Sequence, residues 1–388
     1  MRTSLLVNEF FKLEGRTLEI RVGQPISATR LEKFGSDVEA AEYLKLKTYI
    51  LGDGFKPPKV RRFIRMPNIL HPRTHHESLA EPVSPDVLEK EIVALPPDKL
   101  LIEHGDMRVY IAYSDLVPNV LTEIGRLREK TFRAVGEGTG KSVDIDDYDA
   151  YYMHLFIWNT KTKEIVGGYR LGRTDRILSR YGTRGIYTAS LFRFKEKLLE
   201  RLSPALEMGR SFIREEYQKK PNALPLLWRG IGEFVSRHPH YRVLFGPVSI
   251  SSDYKQLSRD LMLQYLQTNT MDADLHGYVH ARRPPHQRGM KHIDRKSLRN
   301  TVRDIEDISE LVSDIETDHK GIPVLLRHYL KLNATILSFN VDKDFCNVID
   351  GLIVVDLMRT DPRILRRFMG DEGMTKFLRQ HTNTVEKV

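Results

Sequence analysis

The chain has 388 residues, 40% hydrophobic and 29% charged, with a formal net charge of +9. Such a chain buries a sizeable core and predicts roughly two to three domains; its composition excludes collagen-like and intrinsically disordered classes. The positive balance calls for an acidic partner, whether nucleic acid, an anionic membrane surface or an acidic protein, and the single cysteine, Cys346, excludes an internal disulfide framework or a cysteine-built zinc site.

Residues 1–100 read as a region with little core of its own. The start lacks the apolar core and small-residue cleavage site of a secretory signal. Thr17–Val22 alternates like a strand, a turn follows at Gly23-Gln-Pro25, and a helix is predicted around Asp37–Lys47. The span 52–81, rich in Pro, His and Arg, with the cluster Lys59-Val-Arg-Arg-Phe-Ile-Arg65, reads as a linker or surface excursion. From Arg108 the pattern becomes regular. Strands are predicted at Val109–Tyr113, His154–Trp158, Glu164–Gly172, Leu206–Ile213 and Val243–Ile250, with helices at Pro118–Phe132, Leu224–Ser236 and Asp253–Gln267. A basic, proline-containing segment spans 268–300, and late strands at Thr335–Asn340 and Gly351–Asp356 flank Cys346. No run approaches the ~20 apolar residues of a membrane span, which predicts a cytoplasmic protein, at most peripheral on the inner face of the membrane. The expected division is 1–100 and 101–388.

The run Pro204–Ile213 has the residue types of a buried strand, yet carries Glu207 and Arg210 three residues apart. Strand side chains alternate faces, so these two point to opposite sides unless a bulge intervenes, and bulges often re-aim a side chain beside an active site. The bland alternative is a surface ion pair on an edge strand.

Five elements recur in order: Leu127-Arg128-x-x-x-Phe132, the acidic loop Asp144-Ile-Asp-Asp-Tyr-Asp149, His154-Leu-Phe-Ile-Trp158, Val166-Gly-Gly-Tyr-Arg170-Leu and Glu207-Met-Gly-Arg210. Together they resemble the GNAT-type N-acyltransferases that use acyl-carrier-protein donors, the ornithine lipid synthase branch above all, with acyl-homoserine-lactone synthases more distant. Pro225-Leu-Leu-Trp228, Phe245-Gly-Pro-Val-Ser249 and Gly321-Ile-Pro-Val-Leu-Leu-Arg327 carry the same branch resemblance. The resemblance covers about residues 108–365 and implies an α/β fold: a GNAT-like central mixed sheet flanked by helices, behind a small N-terminal α+β region. It also implies transfer of a long, 3-hydroxylated fatty acyl chain from acyl-carrier protein, with acyl-CoA as the other possible donor, to the α-amine of an ornithine-like amino acid. No tightly bound cofactor or metal is implied; the acyl-phosphopantetheine is a co-substrate.

In that reading Glu207 is the proton acceptor and Arg210 its catalytic partner. A free amine is mostly ammonium at pH 7, and only the neutral form attacks a thioester. Arg128, Phe132, Asp146, Asp149, Arg170, Ser211 and Trp228 bind or orient substrate, and a backbone N–H beside Ser211 or Phe212 steadies the oxyanion. The plainer reading of Arg128 and Arg170 is structural pairing with Asp146, Asp147 or Asp149.

Arg214–Ala223 lacks the glycine turn that cradles a coenzyme A pyrophosphate, and Lys219, Lys220 and the helix near Leu224 are the expected substitutes for a single phosphodiester. The basic surface is expected to dock the acidic carrier protein. Nothing resembles a nucleic-acid reader, so nucleic acid is not expected. The basic stretch 282–299 is either a solvated face or a carrier-protein or anionic-lipid contact. His154 is either a site residue or a satisfied core histidine. His75-His76 and His238-Pro-His240 read as solvated loops, and Glu137–Ser142 as part of a mobile loop without phosphate-loop spacing. Residues 8–34 look like the tail of a glycerolipid acyltransferase domain lacking its catalytic His-x-x-x-x-Asp, hence a fragment or decayed fusion. The competing functions are an S-adenosylmethionine-using signal synthase and a non-catalytic carrier-protein or membrane-surface binder.

Overall fold

The computed structural model describes Phe11, Gly15, Ile20 and residues 22–53, 77–220, 222–286 and 302–385. Two compact units are present, one drawn from Met1–Ile64 and Met290–Gly321, the other from Arg65–Gly289 and Ile322–Val388. In the smaller unit the helix Asp37–Asp53 packs on the helix Ile305–Ile315. Lys47 Nζ lies 2.8 Å from Glu310 and 2.7 Å from Asp314, and Arg30 pairs with Asp307 at 2.6 Å. The strand expected at Thr17–Val22, the basic cluster Lys59–Arg65 and the run 287–300 lie largely outside the described residues, as does much of the segment 8–34.

The larger unit is built on an eight-stranded sheet. Its strands are β1 (Leu100–His104), β2 (Met107–Tyr113), β3 (Met153–Asn159), β4 (Glu164–Arg173), β6 (Ala205–Ile213), β7 (Val243–Ile250), β9 (Thr335–Asp342) and β10 (Val348–Asp356). β5 (Phe192–Phe194) and β8 (Val279–Ala281) form a separate two-stranded ribbon. The order is β1-β2-β3-β4-β6-β7-β10-β9, antiparallel throughout except for β6 and β7. All seven residues of β3 are buried, because both faces of the central sheet are covered; a strand so placed reads as a continuous apolar run.

Two hydrophobic clusters lie on one face. In the first, the helices Pro85–Val93 and Pro118–Ala134, each opened by a proline with no N–H to waste, bury Leu88, Ile92, Ile124 and Leu127 against Phe156, Trp158 and Phe212. In the second, the excursion between β4 and β6 folds back as the helix Thr174–Tyr181, 3₁₀ turns, β5 and the helix Glu196–Leu202. It packs Ile186, Leu191 and Leu198 on Ala205, Phe245 and Leu352. The sequence predicted no elements in 174–202, whose local periodicity is interrupted by turns. On the opposite face the helix Ala223–Arg237 packs on β1–β4 and against the helix Pro362–Val385.

Two irregularities in β6 prepare the site. Gly168 pairs with Phe212 and Arg170 with Gly209, so β6 carries one extra residue there, and Arg210 takes a φ of 50°. This bulge is the one of the two alternatives, bulge or surface ion pair, that lets Glu207 and Arg210 share a face. β6 is registered with β7 only over Ala205–Glu207, after which the two strands part.

Candidate active site

Between the two hydrophobic clusters the face of the sheet is polar. A cleft of about 830 Å³ opens there. Arg210 comes from the bulge, Asp144 and Asp146 from the acidic loop, Tyr187 from a 3₁₀ turn, Arg283 from the chain after β8, and Asp342 from the end of β9. The bulge carries Glu207 and Arg210 to the same side: Arg210 Nη1 donates to the Tyr187 hydroxyl at 2.9 Å, and the Tyr187 N–H donates to Glu207 at 3.0 Å.

The three arginines named from the motifs alternate with three aspartates in a continuous chain. Arg128 meets Asp149 at 2.8 Å, Asp149 meets Arg170 at 3.2 Å and Arg170 meets Asp146 at 2.5 Å. Asp146 then meets Arg210 at 3.2 Å, and Arg210 meets Asp144 at 3.0 Å. Arg128 and Arg170 are each 1% exposed, so their pairing is internal; Arg210 is the one of the three that lines the cleft. Burial alone raises the Asp149 carboxyl, but Arg128, Arg170 and His154 hold it well below the usual carboxylate range. Arg170 also lies over the rings of Tyr148, Tyr152 and Tyr187, and Arg210 over Tyr187 and, at 4.3 Å, Phe345. Phe132 reaches this group through an edge contact with Phe345. His154 is fully buried with Nε2 3.0 Å from the Asp149 carbonyl, and burial with the nearby Arg128 charge pushes its ring down to about 4. It is a satisfied core histidine.

Glu207 is 1% exposed. Its oxygens accept from the Tyr152 hydroxyl, the Tyr187 N–H at 3.0 Å, and the Thr188 N–H and hydroxyl at 2.6 Å each. Burial raises its carboxyl above the ordinary value, while these donors oppose the shift. An ionised carboxylate offers about four lone-pair sites, and four donors occupy them.

Ser211 and Trp228 are not brought to this cleft. The residue after Ser211, Phe212, packs toward the helix Pro118–Ala134, and Ser211 itself neighbours Tyr169, whose ring meets Trp228 edge-on at 6.4 Å on the other face. Trp228 is buried against His328 and Tyr329. The segment 137–142, expected to be mobile, is tied down: the Glu129 carboxylate accepts from the Thr139 N–H at 3.0 Å, its hydroxyl at 2.6 Å and the Gly140 N–H at 2.8 Å. Sequence reasoning also missed Tyr152, Tyr187, Thr188, Asp342 and Asp350. The last had a signal, a lone carboxylate inside the apolar run of β10.

Residues 127–229, which contain most of these motifs, match the acetyltransferase (GNAT) domain family. A Glycine N(alpha)-acyltransferase of Phocaeicola vulgatus is 32% identical over 332 residues, covering 80% of this chain and 96% of that protein. A second, from Bacteroides thetaiotaomicron, is 33% identical over 307 residues, 74% of this chain and 89% of its own. The chain belongs to the GNAT N-acyltransferase family. Among solved structures, a CoA-dependent acyl-homoserine lactone synthase is 12% identical with a TM-score of 0.35, covering 70% of this chain and 98% of its own. This N-acyltransferase carries its charged cleft on the sheet face where β6 and β7 part. Among its described residues no helix is long and apolar enough to cross a membrane.

Proposed function

We propose that this enzyme moves a long acyl chain from the pantetheine thioester of an acyl-carrier protein to the α-amine of an amino acid, and that the amino acid is glycine. The observation that carries the reading is the similarity, over most of the chain, to two proteins named for glycine Nα-acylation. The cleft suits a zwitterion. Arg282 and Arg283 line it without a carboxylate partner among the described residues, and they bind the acceptor's carboxylate. The Arg128–Asp149–Arg170–Asp146 chain holds Arg210 in place, and Glu207 organises the Tyr187–Thr188 turn. A main-chain N–H of the Arg210–Phe212 stretch steadies the oxyanion where β6 leaves β7.

The test is to incubate the purified protein with 3-hydroxyhexadecanoyl carrier protein, or the matching CoA thioester, and pooled amino acids, and to identify products by mass spectrometry. N-acylglycine supports the reading. N-acylornithine moves the acceptor to the ornithine-like one that the motif resemblance implies, and an acyl lactone formed only with S-adenosylmethionine makes the enzyme a signal synthase. No product from any acceptor, with carrier protein still bound, leaves a non-catalytic binder.

A further inference from the structure

Amide formation from a zwitterionic acceptor needs a group to remove a proton from the ammonium, and the four donors on Glu207 leave its oxygens no free site. A second carboxylate pair lies on the same face of the sheet. Asp342 ends β9 on the cleft wall. Asp350 stands on β10 in register with both Asn340 of β9, another wall residue, and Ser249 of β7. Asp342 and Asp350 are diagonal neighbours on the β9–β10 ladder, within reach of one another on one face. Asp350 is 4% exposed; its Oδ1 accepts from the Ser249 hydroxyl at 2.8 Å, and its Oδ2 has no donor among the described residues. A nearly buried carboxylate with one empty oxygen beside a cleft is an acceptor waiting for a donor.

We propose that Asp342 and Asp350 receive the acceptor's ammonium and that Asp350 removes its proton. This rests on the N-acylation reading above. The freed nitrogen attacks the thioester carbonyl; the N–C bond forms and the C–S bond breaks. The nitrogen's second proton goes to the departing thiolate, leaving an amide with one N–H and a free thiol, and Asp350 later releases its proton to water. Thioester and zwitterion thus give amide, thiol and one proton.

The surroundings favour this task. Burial and the Asp342 charge push the Asp350 carboxyl up to about 7, against the opposing influence of the Ser249 hydroxyl and Arg210. Asp342 is itself raised by burial, against the Asp344 N–H that donates to it and the Arg210 charge. The other titratable groups facing this pair are Tyr187 from the 3₁₀ turn and Glu137, itself raised to about 7 by burial and by Asp350 and Asp253. A base poised near the working pH is the efficient one.

Steady-state kinetics of the full chain with 3-hydroxyhexadecanoyl carrier protein and glycine test the proposal. Wild type should show kcat rising through an acidic limb near pH 7. Asp350→Asn should lower kcat about 100-fold or more, abolish that limb and leave the melting temperature little changed. Ser249→Ala, which removes the hydroxyl that favours the carboxylate, should keep turnover and move the limb to higher pH. Asp350→Asn with near-normal kcat, or with the limb intact, overturns the proposal. If Asp350→Asn does not fold, an unmoved limb in Ser249→Ala does the same. Wild type that acylates no amino acid refutes the reading beneath it instead.

Discussion

At the residue scale, burial decides which of the charged groups can do chemistry. Arg128, Arg170, Asp149 and Glu207 were all named from the sequence, and each is buried and held by internal partners. Glu207→Gln should therefore act first on stability. Its amide would turn a donor toward groups that are themselves donors, costing roughly 2–4 kcal/mol. Urea unfolding measures this; an unchanged midpoint with turnover abolished would return the proton-acceptor role to Glu207. His154 supplies a pH dependence. Its ring is held down to about 4 in the fold, against ~6.5 when free. Between those values the unfolded chain binds the extra proton and the fold does not, so stability falls as pH drops from about 6.5 toward 4, by about 3 kcal/mol. Asp149 works in the same direction lower down, since a depressed carboxyl contributes stability above its unfolded value that is lost as pH falls through the folded one. Urea midpoints at pH 7.5 and 5 should separate widely for wild type and less for His154→Gln.

At the scale of elements, the chemistry depends on how β6 meets its neighbours. The extra residue between Gly209 and Phe212 turns Arg210 onto the Glu207 side, and the parting of β7 leaves the strand free to line a cleft. The two strands still approach closely at Gly246, where an added Cβ would come within 1.9 Å of the Met208 carbonyl oxygen. Both atoms belong to strand backbone and cannot swing away. Gly246→Ala should cost at least about 1–3 kcal/mol and lower activity by forcing β7 off β6; a melting temperature matching wild type would show that the approach is softer than this. The Pro204–Ile213 run made the bulge legible in advance, because a carboxylate and a guanidinium three apart serve one site only through an irregular strand. The excursion 174–202 was not legible. Its short helices and turns are held by packing on Ala205, Phe245 and Leu352, not by their own periodicity.

For the whole molecule, the net charge of +9 bears, in the proposed reaction, on the carrier-protein donor more than on the glycine acceptor. An acidic carrier protein steered to a basic surface should bind more weakly as salt rises. Its KM is expected to climb severalfold between about 50 and 300 mM NaCl, with the glycine KM nearly constant. Equal sensitivity of both would separate the charge from carrier docking.

Local pattern and ordered motifs were enough for the N-acyltransferase family, for the main strand and helix periods from Arg108 onward outside 174–202, and for pairing Arg128 and Arg170 with the acidic loop, because those depend on residues near one another in the chain. The tertiary structure alone decided which members of that set reach the cleft. It placed Ser211 and Trp228 on the far face, filled the lone pairs of Glu207 from Tyr152 and from a turn twenty residues away, and brought Asp350 from the C-terminal strands to the face that carries Arg210. Strand alternation can be read along a chain, but which oxygen is left without a donor depends on every segment that folds over it.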